Sequence, residues 1–287
     1  MKNFIRIIAL GLIALTASCH SRESAINTLK DLEGGRKFAV PTGTICDQYV
    51  LKRFPDAQIK YYNSAMDCVL AVQNGKADAA IYDQPVLKNI AAKNPGVKIL
   101  PELLYDDKYG FAVQMNDTVL KSAIDHLLGE IKADGTYKEM MARWFPDKGS
   151  PAPMPKLECD ESNGVLKFGT SAVTEPMAYY DPDHNLAGFD IEFAARVACK
   201  LGKKLEVIDM EFGAMLPALI AGKVDMIGAG LSITEERAKK VLFSESYYPS
   251  GFAAAVPAPA DKPVQIKTGG LTGRNDIGNK RVAVLLG

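Results

Sequence analysis

The sequence predicts an α/β protein of two similar lobes, and three observations carry that expectation. Short apolar runs alternate with amphipathic stretches, the order that builds mostly parallel sheets. A Pro-, Ser- and Asp-rich segment at Pro146 to Gly164 divides the chain. A segment of ten residues also recurs, as AVQNGKADAA at 71–80 and ALIAGKVDMI at 218–227. The length of 287 residues suits two such units, and 47% hydrophobic with 24% charged residues is an ordinary globular composition that argues against a disordered or fibrous chain. Lys+Arg and Asp+Glu balance at 34 each, so no global field recruits nucleic acid or an anionic membrane. A charged ligand must be recognised locally.

In chain order, Lys37-Phe38-Ala39-Val40 reads as a strand, Pro41-Thr42-Gly43-Thr44 as a turn, and Tyr49 to Phe54 as part of a helix. Ile59 to Tyr62 is a second strand. Ser64 then caps a helix with Ala65, Val69 and Val72 on one face, ended by Gly75. Asp78 to Tyr82 is a third strand, and Asp83-Gln84-Pro85 opens another helix, completing a βαβα order. Tyr109 to Val113 reads as a strand leaving this unit. Asn116-Asp117-Thr118 caps a helix with Leu120, Ile124, Leu127, Leu128 and Ile131 on one face. Asp134-Gly135 breaks it, and Tyr137, Met140, Met141, Trp144 and Phe145 form the apolar stripe of the next, read as packing and not as a cofactor box.

After the linker a second unit begins with the strand Val165 to Phe168. A helix marked by Phe189, Phe193, Val197 and Leu201 stops at Gly202, and Leu205 to Ile208 is the next strand. In both copies of the ten-residue segment a helix ends at Gly-Lys and an Asp leads into a buried strand, the sign of a shared crossover. A second echo pairs GRKFAVPTG at 35–43 with NKRVAVLLG at 279–287.

The first nineteen residues read as a secretion signal: Lys2 and Arg6 precede an apolar run from Ile7 to Leu15, followed by Thr16-Ala17-Ser18-Cys19. The run is too short for a comfortable membrane span. No later stretch is apolar enough to cross a bilayer. The small residues before Cys19 resemble a bacterial lipoprotein signal, in which that cysteine becomes the lipidated N-terminus. Thr16 departs from that pattern. An oxidising compartment permits disulfides among Cys46, Cys68, Cys159 and Cys199, with pairing left open by spacing. These cysteines and the dispersed histidines His20, His126 and His184 offer little support for a zinc site, and neither metal nor cofactor is expected.

The stretch Gly230-Leu231-Ser232-Ile233-Thr234-Glu235-Glu236-Arg237 and its continuation to Tyr248 resembles the signature of bacterial polar-amino-acid-binding proteins, the extracellular solute-binding proteins of family 3 that serve ABC importers. The resemblance extends through Gly188-Phe189-Asp190 and Phe212 to Leu219, and into the other half at Thr42-Gly43-Thr44, Ala77-Asp78-Ala79 and Asp83-Gln84-Pro85. It implies the two-lobed periplasmic-binding-protein type II fold, with a hinge of two strands placed at 109–113 and 251–256. The order departs from the family's. Residues 28–110 correspond to the family's second lobe, 111–145 to a hinge strand and closing helices packing on the first lobe, 146–164 to a linker, 165–255 to the first lobe, and 256–287 to a linker and a partial repeat of the second lobe's first strand. A circular permutation or a truncated tandem array gives that order. The 19 residues of the linker can extend roughly 60 Å at about 3.3 Å each, enough to join termini of one lobe.

The chemistry expected of such a site follows from its ligand. An amino acid presents a carboxylate and an ammonium, and burying both requires forked donors for one and acceptors for the other. The resemblance assigns the carboxylate to Arg237, whose guanidinium matches it bidentately. Gly230 offers a carbonyl, Ser232 a hydroxyl and N–H, and Asp83 an acid for the ammonium at the C-terminal end of a strand. Asp83 can also serve as a helix N-cap, since Asp-Gln-Pro opens a helix, and both roles can hold. Thr44 and Ile45 open a helix whose free N–H groups favour an anion, with only the backbone of Ile45 able to serve. Phe212 matches an aromatic that covers the ligand. Thr174 stands where many members carry a second aromatic and Met177 where Phe is common; with Pro41 replacing a polar residue, these departures hint at a less polar ligand side chain. Tyr82, Tyr179 and Tyr180 either line the cleft or pack in the lobes. The resemblance implies a monomeric, non-catalytic binder that hands an amino acid to an ABC permease, held in the periplasm or at the cell surface through lipidated Cys19. The same fold also serves sensory modules and periplasmic dehydratases. No residue is singled out as catalytic.

Overall fold

The computed structural model describes residues 25–146 and 152–259. The expected signal with Cys19 and the C-terminal echo at 279–287 lie outside the described residues, as does the start of the linker. After a 3-10 turn at Leu29–Leu32, the first half comprises β1 (Lys37–Pro41), α1 (Cys46–Arg53), β2 (Gln58–Tyr62), α2 (Ala65–Gln73), β3 (Ala79–Asp83), α3 (Gln84–Lys93), β4 (Val97–Ile99) and β5 (Tyr105–Tyr109). There follow β6 (Ala112–Gln114), α4 (Thr118–Asp134) and α5 (Thr136–Trp144). The second half holds β7 (Val165–Thr170), β8 (Val173–Thr174), β9 (Ala178–Tyr180), β10 (Leu186–Ala187), α6 (Phe189–Lys200), β11 (Lys204–Asp209), α7 (Phe212–Ile220), β12 (Met226–Ile227), α8 (Glu235–Ala238), β13 (Val241–Phe243) and β14 (Tyr248–Pro257).

Two sheets result, each with its own core. One runs β2-β1-β3-β14-β4, with β5 also paired to β14; the other runs β11-β7-β12-β6-β13, and β10-β9-β8 form a small antiparallel sheet beside it. In each large sheet the strands of the βαβ order are parallel, while the strands arriving from the other half pair antiparallel. The fold is therefore the two-lobed α/β arrangement that the sequence predicts. Helix boundaries follow local chemistry. Ser64 accepts the N–H of Asp67, Asp117 accepts that of Leu120, and Gly135, at φ 91°, breaks α4 from α5. The faces expected to be apolar are inside: Ala65, Val69 and Val72 on α2, and Leu120, Ile124, Leu127, Leu128 and Ile131 on α4, are all buried.

The repeated segment has one structural meaning in both lobes. Gly75 and Gly222 end their helices at φ 66° and 68°. Lys76 N–H then bonds the Ala71 carbonyl and Lys223 N–H the Ala218 carbonyl. Asp78 exchanges two bonds with Lys37 of β1: its N–H donates to the Lys37 carbonyl, and its carboxylate accepts the Lys37 N–H at 2.6 Å. Asp225 does the same with Lys167 of β7, its carboxylate accepting at 2.8 Å. The Gly-Lys-x-Asp pattern thus aligns each crossover strand beside the strand that opens its sheet.

The chain passes between the lobes twice, at Gly110–Phe111 and at 244–247. The first passage agrees with the expected hinge strand. The second is a correction: residues 251–256 lie inside the first-half sheet, where Phe252–Ala255 pair with β3, so the crossing precedes them. For the same reason the span 165–255 does not belong wholly to one lobe. Its last strand, almost entirely buried from Gly251 to Val256, is central to the other sheet.

The helices α4 and α5 pack with α6 in the core of the second-half lobe, where Trp144 and Met140 are buried. A buried carboxylate fastens them. Glu192 of α6 takes Arg143 on both oxygens at 3.0 and 2.9 Å, Arg196 at 2.6 Å and the Trp144 indole N–H at 2.7 Å. Of the four cysteines whose pairing was open, Cys159 and Cys199 form a disulfide that ties the linker to α6, and Cys46 and Cys68 are free and buried. The bridge closes a loop with a sequence separation of 40. Reduction is therefore expected to lower unfolding stability by up to about 4 kcal/mol, read from urea melts with and without dithiothreitol.

Candidate ligand-binding cleft

The C-terminal end of β3, the start of α1, the loop before α8 and the β5 strand converge where the lobes meet. Tyr109 of β5 forms an isolated antiparallel bridge with Ser232. Gly110 N–H bonds the Leu231 carbonyl and Ile233 N–H the Lys108 carbonyl, so the 230–233 loop lies along the first hinge passage. Arg237 follows on α8, whose first turn is capped by the Thr234 hydroxyl accepting the Arg237 N–H.

Three charged side chains are buried together here: Arg237 at 9% exposure, Asp107 at 6% and Asp83 at 4%. Arg237 donates to the Ser232 carbonyl at 3.0 Å and sits 5.8 Å from the centroid of the Phe212 ring, a cation–π contact. Burial lowers the pKa of its guanidinium, while Asp107 and Asp83 pull it back up. Asp83 lies across from it on the other lobe. Burial pushes its carboxyl up to about 8, with Asp107 adding to the rise and Tyr109 and Arg237 opposing it. One of its oxygens, Oδ1, is fully enclosed and has no hydrogen-bond partner. A buried carboxylate oxygen left unsatisfied is costly and invites a donor.

The expected residues divide on inspection. Arg237, Ser232, Phe212 and Asp83 come together at the junction, and Gly230 opens the same loop. Asp83 occupies the N-cap position of α3, but its side chain makes no capping bond. Tyr82 beside it is buried and falls within the electrostatic reach of Arg237. Thr44 and Ile45 stand at the start of α1 as expected. The Thr44 hydroxyl, however, donates to the Pro41 carbonyl at 2.8 Å and caps its own turn. Thr174 is buried, and its hydroxyl proton goes to the Ser171 carbonyl at 2.9 Å, so it contributes shape and not a free donor. Tyr179 is half-buried and packs edge-on against Trp144, which places it in the lobe core, and Tyr180 is exposed.

Sequence reasoning passed over Asp107, whose carboxylate accepts the Ser232 hydroxyl at 2.6 Å. It sits in a Tyr-Asp-Asp-Lys-Tyr run that reads as solvated polar strand, and only the pairing of β5 with β14 turns it inward. Asp190, noted only as part of a motif, is fully buried behind the loop. One oxygen accepts both the Gly230 N–H and the Tyr247 hydroxyl at 2.9 Å, and burial pushes its carboxyl up to about 7. It ties the 230–233 loop to the second hinge passage. Among the described residues no group of three or more His, Cys, Asp or Glu could hold a metal, and no helix is long and apolar enough to cross a membrane.

Residues 166–274 match the family model described as bacterial extracellular solute-binding proteins, family 3. The arginine-binding extracellular protein ArtP of Bacillus subtilis is 37% identical over 122 residues, covering 42% of this chain and 44% of its own length. Residues 166–274 of the chain thus carry the family 3 solute-binding sequence. Among solved structures, the arginine-bound form of domain 1 from TmArgBP is 36% identical over 33% of this chain and 82% of its own, with a TM-score of 0.29. The membrane-bound lytic murein transglycosylase F of Vibrio cholerae is 39% identical over 97 residues, which are 33% of this chain and 18% of that enzyme, so the domain also occurs within an enzyme. The chain spans about half the length of the curated relatives it matches first. Those relatives are named as amino-acid-binding proteins, for arginine or glutamine.

Proposed function

We propose that the protein captures one amino acid between its lobes and delivers it to an ABC importer, acting as a monomeric binding protein without turnover. The observation that supports this most is the buried pair Arg237 and Asp83, held on opposite lobes with a carboxylate oxygen of Asp83 unpartnered. In this reading Arg237 takes the ligand carboxylate with Ser232 and the helix start at Thr44 and Ile45, the Gly230 carbonyl and Asp83 take the ammonium, and Phe212 covers the ligand. Two charges of a zwitterion then replace water on both sides, and only a ligand touching both lobes favours closure. The segments 28–145 and 165–255, in shifted order, build one complete cleft. Lipidation at Cys19, outside the described residues, would hold the protein at the membrane surface in the periplasm or on the cell.

Calorimetric titration of the chain lacking its signal against a panel that includes arginine, glutamine and histidine tests the proposal. Saturable binding of an amino acid is expected. Turnover of a panel member, or no heat from any of them, would overturn it.

The titration also has a pH signature. Asp83 in the empty cleft holds its proton up to about pH 8, whereas a bound ammonium favours the carboxylate, so binding below that pH expels a proton. Affinity should rise toward tenfold per pH unit between about pH 5 and 8 and then level off. Because the folded pKa is raised, the ligand-free protein loses stability over the same rise in pH. Asp83→Asn should flatten the affinity slope and abolish the proton release seen by comparing buffers of different ionisation enthalpy.

A further inference from the structure

We infer that Gly213 sets how far the lobes of this cleft can close, a deduction that rests on the proposed binding role. At the N-terminus of α7 in one lobe, Gly213 faces Gly43 in the β1–α1 turn of the other. A Cβ built on Gly43 would lie 2.7 Å from the Gly213 Cα and 3.1 Å from its nitrogen, so the two backbones approach with no side chain between them. Gly43, at φ 78°, has a reason of its own to be glycine.

Gly213 has none within its lobe. It is helical, its φ is outside the left-handed region, and glycine in a helix is roughly 0.5–1 kcal/mol worse than alanine. The one atom within 4 Å of a Cβ added there, beyond its own helix and chain neighbours, is the Cα of Gly43, at 3.5 Å. What calls for a small residue at 213 is therefore the opposite lobe. A second contact holds the lobes in the same closed relation: Lys93, at the end of α3, donates to both carboxylate oxygens of Glu175 at 2.7 Å.

The glycine adjoins Phe212, which packs against Arg237. A larger side chain at 213 would hold the lobes apart beside the ligand and keep Asp83 and Arg237 from gripping one zwitterion together. Because the carboxylate and ammonium lie the same distance apart in every α-amino acid, the loss would fall on all of them, whatever the side chain. Alanine, whose Cβ would be in ordinary van der Waals contact, is the mild step in the series, and leucine the severe one.

The test is calorimetric titration of wild type, Gly213→Ala and Gly213→Leu with the amino acids that wild type binds. Melting curves of the ligand-free proteins and distances between spin labels at Lys52→Cys and Glu236→Cys complete it. Gly213→Leu should weaken binding about ten- to hundredfold, lose the shortest interlobe distance on adding ligand, and melt no lower than wild type when empty; Gly213→Ala should stay within a few-fold. Unchanged affinity and distance in Gly213→Leu would overturn the inference while leaving the binding role intact. A lowered melting temperature of the empty Gly213→Leu protein would also overturn it, because the residue would then be packing within its own lobe. Failure of wild type to bind or close with any amino acid would remove the proposed function and this inference with it.

Discussion

Arg237→Ala should weaken amino-acid binding by at least about thirtyfold while leaving α8 in place. The helix survives because the Thr234 cap uses the backbone N–H of residue 237 and not its side chain. What is lost is a buried guanidinium opposite a ligand carboxylate. Truncating one partner of a buried charged pair costs about 2–5 kcal/mol, or roughly 30- to 5000-fold at 1.36 kcal/mol per decade. The variant also leaves Asp83 and Asp107 buried without their cation. Both carboxyls should then titrate higher still, moving the rise in affinity to higher pH. Arg237→Lys restores charge but not the fork, so its affinity should fall between the two. Titration calorimetry reads all three.

Among the side-chain substitutions, Glu192→Ala should have the largest effect on stability. Its carboxylate is completely buried, while Arg143 and Arg196 remain about a fifth exposed. Removing it leaves two cations that can turn toward water and an indole N–H that cannot, since Trp144 is 1% exposed. Breaking a buried pair costs about 3–5 kcal/mol, and the partial exposure of the arginines puts the expected loss near the lower end, about 3 kcal/mol. Glu192→Gln keeps an oxygen for the indole and should lose less. Because Trp144 is the sole tryptophan of the chain, urea melts followed by its fluorescence report on this clamp directly. The loosened elements would be α5 and α6, which close the lobe that carries Arg237. Ligand affinity should therefore fall far less than stability.

The parts legible in the sequence were those written in local periodicity or in backbone chemistry. The faces of α2 and α4, the caps at Ser64 and Asp117 and the glycine stops at 75, 135 and 202 each rest on contacts a few residues apart. The Gly-Lys-x-Asp repeat predicts a shared crossover for the same reason. Arg237, Ser232 and Asp83 were readable through motif resemblance, and the structure brings them to one junction. Features set by distant pairing were not readable. The strands β4 and β5 are short or polar, and they exist because β14 returns from residues 248–257 to pair with both. That return also moved the second hinge passage and turned Asp107 inward. The Cys159–Cys199 bridge depends on where the linker runs over α6, which spacing cannot specify. Thr174 shows the converse limit: it departs from the family pattern at a position where an aromatic is common, and its short hydroxyl finds a carbonyl of its own turn.

The measurement that bears most directly on one ligand bridging both lobes is a paired titration. The tightest-binding amino acid is compared with its α-hydroxy analogue, which keeps the carboxylate and side chain and lacks the ammonium, in wild type and in Asp83→Asn. Wild type should bind the analogue at least tenfold more weakly, and Asp83→Asn should bind the two nearly alike, because the acid that distinguishes them has been neutralised. An undiminished preference for the amino acid in Asp83→Asn would contradict the assignment of the ammonium to the lobe opposite Arg237, and with it the shared cleft.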